Sequence, residues 1–351
     1  MKKSRDKVIQ TSESLINVNP TVRGALKSLG IVMVAAAMLG SLPVVSAEKI
    51  RIAGNFAVDH SSSLAMEIFK KELTTLTNGE LTADLFPAMQ LGGAKENVDQ
   101  VRSGTIFATW IGIAYLSRTV PDLEAVSLPF VFANREEAFK VIDSKVGALL
   151  NEKLGAKGYT ALGYMELGSR NVTNNVRPLK TFDDFKGLKI RLQPNETHLS
   201  TFRAIGANPV SMGIKEVYSA LQQGVLDGQE NPFSIIATRR FDEVQKYLSD
   251  SGHFFDFIII VANKKKFDGL PAAHQEAIRK AMAKTVAWQR NKAAEEDTAS
   301  RDELVKRGMR FDAISPEVRA QLQRATAGVV GELKAKIGSD VIDAVVSEKQ
   351  K

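Results

Sequence analysis

Residues 187–195 read Gly-Leu-Lys-Ile-Arg-Leu-Gln-Pro-Asn, and residues 227–232 read Asp-Gly-Gln-Glu-Asn-Pro. The first run predicts a short strand with Arg191 near its end, and the second predicts a turn that presents the amide of Asn231. An arginine offers a planar fork of donors that matches both oxygens of a carboxylate, and an amide can donate a further hydrogen bond. The two runs therefore predict a site for a small carboxylate.

The N-terminal 47 residues have the pattern of a secretory signal peptide. Six Lys or Arg residues precede an apolar run over 29–45, and Val-Ser-Ala at 45–47 supplies small residues for cleavage. A membrane anchor is the alternative, but two glycines, a serine and a proline interrupt the run, and a span needs about 20 predominantly apolar residues. We expect cleavage after Ala47 and a periplasmic location.

Composition excludes several classes of function. Removal of 1–47 takes away six basic and two acidic residues, so the formal net charge falls from +7 to +3. The mature part has no basic run interleaved with aromatic residues, so nucleic acid is not an expected partner. The chain has no cysteine, which excludes disulfides, thiolate metal sites and cysteine nucleophiles.

Strand-like apolar runs alternate with helical patterns along the mature chain, and this order predicts an α/β fold with a mostly parallel sheet. The predicted strands are 50–54, 81–86, 106–113, 161–165, 189–192 and 254–262, and the predicted helices are 61–77, 95–102, 197–205 and 215–223. Serines 61–63 are the expected N-caps of the first helix. Ser315, followed by Pro316, is the expected N-cap of a helix near the C-terminus.

A long helix is predicted over 271–307. Residues 272–307 contain neither glycine nor proline and are rich in strong helix formers. A helix of 37 residues would be roughly 55 Å long, which exceeds the need of one domain and is sufficient to brace two. The mature chain of 304 residues is long enough for two domains of about 100–200 residues each.

Several further motifs occur in a consistent order. They are Phe-Pro-Ala-Met-Gln-Leu-Gly at 86–92, Leu-Pro-Phe at 128–130, Gly-Ala-Asn-Pro at 206–209 and Glu-Val-Tyr-Ser-Ala-Leu-Gln at 216–222, beside the two runs quoted above. Together they resemble the DctP family, the periplasmic solute-binding proteins of tripartite ATP-independent periplasmic (TRAP) transporters. The run at 227–232 is the most specific of these motifs, and the resemblance extends over nearly all of the mature chain.

The resemblance implies a two-lobed periplasmic binding protein fold. Each lobe would be a mixed, mostly parallel sheet flanked by helices, with the long helix spanning both lobes. The first lobe would comprise 48–168 and 257–296, and the second 169–256 and 297–351. The lobes would close on the ligand like a hinged trap.

The resemblance also implies the ligand-binding residues. Arg191 would make the main ion pair with a ligand carboxylate, and Arg170 and Asn231 would add contacts. The alternatives are that Arg191 caps a strand end or pairs with a surface acid, that Arg170 forms an ion pair in a hinge loop, and that Asn231 serves its turn. From the first lobe, Asn55 would face the ligand. Phe56, Asp59 and His60 are further candidates, and the alternative for each is that it serves the loop itself. Trp110 and Tyr115 would form an aromatic wall or pack in the core.

Three positions differ from the sialic-acid-binding branch of the family. Gly112 stands where that branch has a pocket glutamate, Tyr115 where it has a pocket arginine, and Ile214 where an aromatic residue is expected beside the ligand. Sialic acid is therefore disfavoured. A sugar acid, a hydroxy or keto acid, or a C4-dicarboxylate fits better.

Enzyme motifs are missing from the sequence. No nucleotide-binding, nucleophile-elbow or zinc-protease pattern occurs, and the four histidines lie far apart and are expected to be surface or capping residues. We expect a monomer without cofactor or metal that delivers its acid to TRAP membrane subunits. The alternatives are a periplasmic ligand sensor of the same fold and a periplasmic enzyme that acts on an organic acid.

Overall fold

The computed structural model describes residues 47–351, so the predicted signal peptide lies, apart from Ala47, outside the described residues. In the described part, no helix is long and apolar enough to cross a membrane. This part contains nine strands and twelve α-helices. They are β1 (Glu48–Gly54), α1 (Ser61–Leu76), β2 (Leu81–Phe86), α2 (Ala94–Ser103), β3 (Ala108–Gly112), α3 (Arg135–Ile142), α4 (Lys145–Gly155), β4 (Tyr159–Asn174), β5 (Lys189–Leu192), α5 (Glu196–Ala204), β6 (Asn208–Ser211), α6 (Ile214–Gln222), β7 (Gly228–Asn231), α7 (Phe233–Thr238), β8 (Tyr247–Asn263), α8 (Lys264–Asp268), α9 (Ala272–Lys306), β9 (Arg310–Ala313), α10 (Pro316–Thr326), α11 (Gly328–Ile337) and α12 (Asp340–Gln350).

The strands form one mixed sheet. Its order is β2-β1-β3-β8-β4-β7-β5-β6, with β9 paired to β8. Five pairings are parallel, namely β1 with β2 and β3, β5 with β6 and β7, and β8 with β9. The three antiparallel pairings all involve β4 or β8. The predicted mixed, mostly parallel sheet is thus confirmed.

The strands β4 and β8 join the two lobes. They have 16 and 17 residues and pair from Tyr159 with Asn263 to Asn174 with Tyr247. The pairing shifts register three times, and the middle shift lies between Glu166 and Gly168. Gly168 pairs with Asp256 and has a φ of 114°, a conformation that favours glycine. Two of the three lobe boundaries expected from the resemblance, 168/169 and 256/257, fall at this bulge, and the third falls within α9.

The apolar core consists of four clusters, two in each lobe, and α9 contributes to one cluster in each lobe. Ile278 and Met282 pack in a first-lobe core with β1, β3 and α1, whereas Leu304 packs in a second-lobe core with α6 and α7. The helix has 35 residues, about 52 Å at 1.5 Å per residue. The predicted helix that spans both lobes is confirmed.

Two details differ from the expectations. The N-cap of α1 is His60, whose Nδ1 accepts a hydrogen bond from the Ser62 amide at 3.1 Å, and not one of the serines. The last helix, α12, packs through Val341, Ile342 and Val345 into the other apolar cluster of the first lobe, against α3 and α4, although 297–351 was expected to belong to the second lobe. The predicted N-cap Ser315 does accept from the Val318 amide.

Candidate ligand-binding site

A small cavity of about 40 Å³ lies between the lobes. Its walls come from both lobes and are formed by Asn55, Phe56, Ala94, Gly112, Tyr115, Leu167, Arg191, Gln193, Ile214, Asn231, Ile235 and Arg239. Strands β1, β3, β5 and β7 end at this cavity, because Asn55, Gly112, Gln193 and Asn231 lie at or just after their last residues. The carboxyl ends of strands are the usual position of ligand crevices in α/β proteins.

Arg191 is fully buried at this cavity. Its Nε donates to the carbonyl oxygen of Met212 at 2.8 Å, and its Nη2 donates to the Tyr115 hydroxyl of the first lobe at 2.9 Å. Its Nη1 is buried without a hydrogen-bond partner. A buried guanidinium that lacks a counter-charge is unfavourable, so an anion in the cavity would offset this cost.

A second cavity arginine, Arg239, was not expected from the sequence. It follows α7, donates from Nη2 to the main-chain oxygen of Asn55 at 2.7 Å, and has a buried Nε without a partner. Burial lowers the pKa of Arg239 and the charge of Arg191 lowers it further, while Tyr115 and Asp59 oppose this shift. No motif marks this residue, because it stands in a polar run, Thr-Arg-Arg at 238–240, that resembles an ordinary helix end.

Arg170 lies behind the cavity wall in an ion pair. It donates to both carboxylate oxygens of Glu230, at 2.5 and 2.7 Å, and to Asp256 at 3.3 Å. It also donates to the Asn231 side-chain oxygen at 3.1 Å. Arg170 does not line the cavity, so the structure places it in an ion pair near the hinge, the alternative to direct ligand contact.

Asn231 and Gln193 connect this ion pair to the cavity. Asn231 accepts from Arg170 and donates to Gln229 at 2.5 Å, so both polar ends of its amide have partners within the protein. Gln193 lines the cavity and donates to Asp256 at 2.8 Å. The ion pair of Arg170 therefore fixes the orientation of two side chains in the cavity wall.

The charges of this buried network balance one another. Burial alone would raise the pKa of Glu230, but Arg170 and His253 hold it well below its usual range. Burial raises the pKa of Asp256 despite the nearby Arg170. Glu230 and Arg170 consequently form a charged pair at neutral pH, and this pair leaves no net positive charge for a ligand.

The remaining predicted residues separate into two groups. Asn55 and Ile214 line the cavity, as do Phe56 and Tyr115. The side chain of Asn55 donates to Asn97 at 2.6 Å, and its Oδ1 is buried without a partner. Asp59 is exposed outside the cavity lining.

Trp110 does not line the cavity. It is fully buried in the first-lobe core, where its ring packs edge-on against Phe69 at 6.2 Å between centroids. The structure therefore shows Trp110 packed in the core, which was the alternative to an aromatic wall at the ligand. The reason is its position in the middle of β3, a strand whose five residues are all buried.

The expectation that the histidines are surface or capping residues is right for His60 and wrong for two others. His198 is buried and stacks on Phe254 at 4.0 Å, and His253 is buried with its Nε2 3.1 Å from Glu230. Burial lowers the pKa of both His60 and His198 to about 3, so these side chains are neutral at pH 7. They offer no positive charge to an anion.

A larger cleft of about 690 Å³ lies elsewhere and is a poorer site for an acid. Its lining has four carboxylates, Glu136, Glu166, Asp250 and Asp297, against three cations, Arg135, Arg319 and Lys349. Arg135 already forms an ion pair with Glu166, so the cleft has no excess of positive charge to attract an anion. Among residues 47–351 no group of three or more His, Asp or Glu side chains could hold a metal ion. The small cavity is therefore the candidate ligand-binding site.

Comparison with known proteins gives consistent matches. The family model described as bacterial extracellular solute-binding protein, family 7, matches residues 52–336. The chain is 33% identical over 327 residues to the 2,3-diketo-L-gulonate-binding periplasmic protein YiaO of Escherichia coli. This alignment covers 92% of this chain and 98% of that protein. It is 33% identical over 279 residues to the C4-dicarboxylate-binding periplasmic protein DctP of Rhodobacter capsulatus, 79% of this chain and 84% of that protein.

Solved structures match over a similar range. The sugar acid binding protein DctPAm of Advenella mimigardefordensis, crystallised with galactonate, has a TM-score of 0.84 and 32% identity, with 87% of this chain and 98% of that chain covered. A TRAP periplasmic solute-binding protein of Sulfurospirillum deleyianum with bound succinate has a TM-score of 0.81 and 28% identity, with 85% and 98% covered.

Proposed function

The chain belongs to family 7 of the bacterial extracellular solute-binding proteins, the solute-binding proteins of TRAP transporters, and on this basis we propose that Arg191 captures a small organic acid in the cavity between the lobes. Members of this family are binding proteins for transport and not enzymes. The ligand would be a sugar acid, a hydroxy or keto acid, or a C4-dicarboxylate, the classes named for its relatives.

The unpaired Nη1 of Arg191 is the observation that carries this proposal. Arg191 is fully buried, its other two nitrogens are directed by Met212 and Tyr115, and it forms no ion pair with a described acidic residue. A carboxylate bound here would gain a charge-assisted hydrogen bond, which is about twice as strong as a neutral one. It would also balance a charge that the fold leaves unbalanced.

The transport role would follow from capture and release. After removal of the signal peptide, the protein would bind its acid in the periplasm and present it, with the lobes closed, to TRAP membrane subunits. Only a difference in affinity between the open and closed states can drive closure. Tyr115 and the main chain of Asn55 support this proposal, because they are first-lobe groups that contact Arg191 and Arg239 of the second lobe.

Calorimetry with Arg191→Ala and Arg191→Lys tests the assignment. Loss of one partner of a buried charge pair costs about 2–5 kcal/mol, so we expect Arg191→Ala to bind the acid roughly 30-fold or more weakly. Arg191→Lys keeps the charge but loses the planar fork, and should fall between the two. Arg203→Ala, which removes an exposed arginine on α5, is the matched control. An Arg191→Ala protein that binds as tightly as the wild type would refute the assignment.

A further inference from the structure

The cavity is lined by two cations and by no acidic residue. Of its twelve lining residues, Arg191 and Arg239 are arginines, and none is Asp or Glu. Neither arginine forms an ion pair with an acidic side chain in residues 47–351, whereas Arg170 behind the wall has two such partners. Asp59 acts on Arg239 electrostatically but forms no ion pair with it, so a single ligand carboxylate would leave one of the two guanidinium groups without a contacting carboxylate.

The two arginines are held in the same way. Each belongs to the second lobe and donates from Nη2 to a first-lobe oxygen, the Tyr115 hydroxyl for Arg191 and the Asn55 carbonyl for Arg239. Each then retains one buried nitrogen without a partner, Nη1 of Arg191 and Nε of Arg239. The fold thus orients two guanidinium groups and leaves a donor of each one free.

A third unpaired atom is an acceptor. Among the buried polar atoms of the lining side chains, three lack a partner, and the third is Oδ1 of Asn55. A hydroxyl group is the simplest ligand donor for an amide oxygen. The other lining amides have partners within the protein, since Asn231 uses both of its polar ends and Gln193 donates to Asp256.

The rest of the wall and the size of the cavity restrict the carbon skeleton. Phe56, Leu167, Ile214 and Ile235 supply apolar side chains between the polar groups. A cavity needs at least about 10–15 Å³ to hold one water, so the cavity volume of about 40 Å³ corresponds to about three or four waters. A short acid requires less widening of this cavity than a six-carbon sugar acid with hydroxyl groups along its length.

We propose that Arg239 is a second anion-binding group and that the preferred ligand is a short dicarboxylate, with one carboxylate on Arg191 and the other on Arg239. A hydroxyl group on the carbon chain would add a hydrogen bond to Oδ1 of Asn55. This inference rests on the proposed capture of an organic acid at Arg191, and it narrows the ligand to one class.

Titration calorimetry with succinate and succinamate tests the inference, because the two ligands have the same shape but succinamate has one carboxylate replaced by an amide. The wild type should bind succinate about tenfold or more tightly than succinamate. Arg239→Gln should abolish most of that ratio, and Arg239→Lys should keep part of it. Arg240→Gln, which removes the exposed neighbour of Arg239, should leave the ratio unchanged. Malate should bind more tightly than succinate.

The outcomes separate this inference from the proposed function. If the wild type binds galactonate or succinamate as tightly as succinate, or if Arg239→Gln keeps the wild-type ratio, the second anion-binding group is refuted. If those acids still bind in a manner that Arg191→Ala abolishes, capture at Arg191 stands. If neither mono- nor dicarboxylic acids bind, both fail. A melting curve of each variant establishes that it is folded. If Arg239→Gln is not folded, Arg239→Lys replaces it in the comparison.

Discussion

Three buried or partly buried arginines near the cleft differ in how their charges are balanced. Arg170 contacts two carboxylates and belongs to the internal structure of the protein. Arg191 and Arg239 contact only neutral oxygens and retain unpaired donors. An arginine beside a protein carboxylate therefore supports the fold, whereas a buried arginine without such a partner can bind an anion.

The neutral buried histidines give the protein a predictable sensitivity to acid. The folded-state pKa of His198 is about 3, below the usual 6.5, so the unfolded chain binds more protons between these values. Stability from this group is present above pH 6.5 and is lost as the pH falls. From pH 6.5 to 5 the loss is about 2 kcal/mol for one such histidine.

Urea denaturation of His198→Phe at pH 6.5 and pH 5 measures this effect. Phenylalanine keeps the stack on Phe254 but cannot be protonated, so the variant should lose about 2 kcal/mol less than the wild type over this range. His274→Gln, a change near the surface, provides the comparison. Equal losses in wild type and His198→Phe would show that His198 is not the buried neutral group described here.

The sequence predicts some site residues and not others, for physical reasons. Arg191, Asn231, Asn55 and Ile214 lie in recognisable motifs or at strand ends, and all four line the cavity. Arg239 lies in no motif, and only the packing of α7 brings it to the cavity. Trp110 cannot be assigned from sequence because an aromatic side chain on a strand fits a core and a pocket wall equally well.

Among the secondary-structure elements, the bulge in β4 depends on α9. Gln289 of α9 is fully buried, accepts from the Glu166 amide at 2.9 Å, and donates to the Glu166 carbonyl at 2.9 Å. It also lies 3.2 Å from the Ser61 hydroxyl at the start of α1. One side chain thus links the long helix, the first helix and the strand at the point where the register shifts.

Gln289→Leu should destabilise the protein and loosen this bulge. It leaves an amide and a carbonyl of Glu166 buried without partners, which costs about 1–3 kcal/mol for each unpaired group. Thermal unfolding measures the loss, and amide hydrogen exchange of Glu166 to Gly168 should become faster. Gln321→Leu, on the exposed face of α10, should do neither. Unchanged exchange at Glu166 would contradict the role given to Gln289.

Short and long strands were predicted with different success. The bounds of β2 and β5 agree with the sequence pattern, because their residues have the expected apolar spacing. Only 161–165 of β4 was predicted, since Glu166, Gly168 and Arg170 interrupt the apolar run. Glu166 is buried in an ion pair with Arg135, and Arg170 is buried in ion pairs with Glu230 and Asp256. Sequence periodicity cannot distinguish a buried ion pair from an exposed loop.

Taken as a whole, the molecule is held together across its cleft by polar contacts beyond the cavity. Glu124 of the first lobe is buried and accepts from the amide and the hydroxyl of Thr197, at 2.9 and 2.7 Å, in the first turn of α5. Lys336 of α11 donates to the same carboxylate at 2.8 Å. These contacts stabilise the arrangement of the lobes that the structure shows.

Thr197→Val should weaken acid binding without changing the preference among acids. It removes a hydrogen bond across the cleft, worth about 1 kcal/mol and more when the acceptor is charged, so affinity should fall about fivefold if the bond forms on closure. Calorimetry with the acids used above measures both quantities. Thr326→Val removes a hydroxyl that bonds only within α10 and serves as the control. A changed order of preference would show that Thr197 acts on the cavity itself.

The division into lobes came from the family resemblance and not from composition. The chain passes between the lobes several times, and no linker of distinctive composition marks these crossings. Neither the resemblance nor the composition predicts that α12 packs on the first lobe, because an amphipathic terminal helix can cover any exposed apolar face.

The contacts of Arg191 with Tyr115 and of Arg239 with Asn55 have a kinetic consequence. The groups proposed to bind the acid also bind the opposite lobe, so we expect an acid to reach them after the lobes separate. Association would then stop rising with acid concentration and approach the rate at which the protein opens by itself. The rate at which acid-loaded protein becomes available to a TRAP transporter would then be set by the opening of the lobes and not by diffusion of the acid.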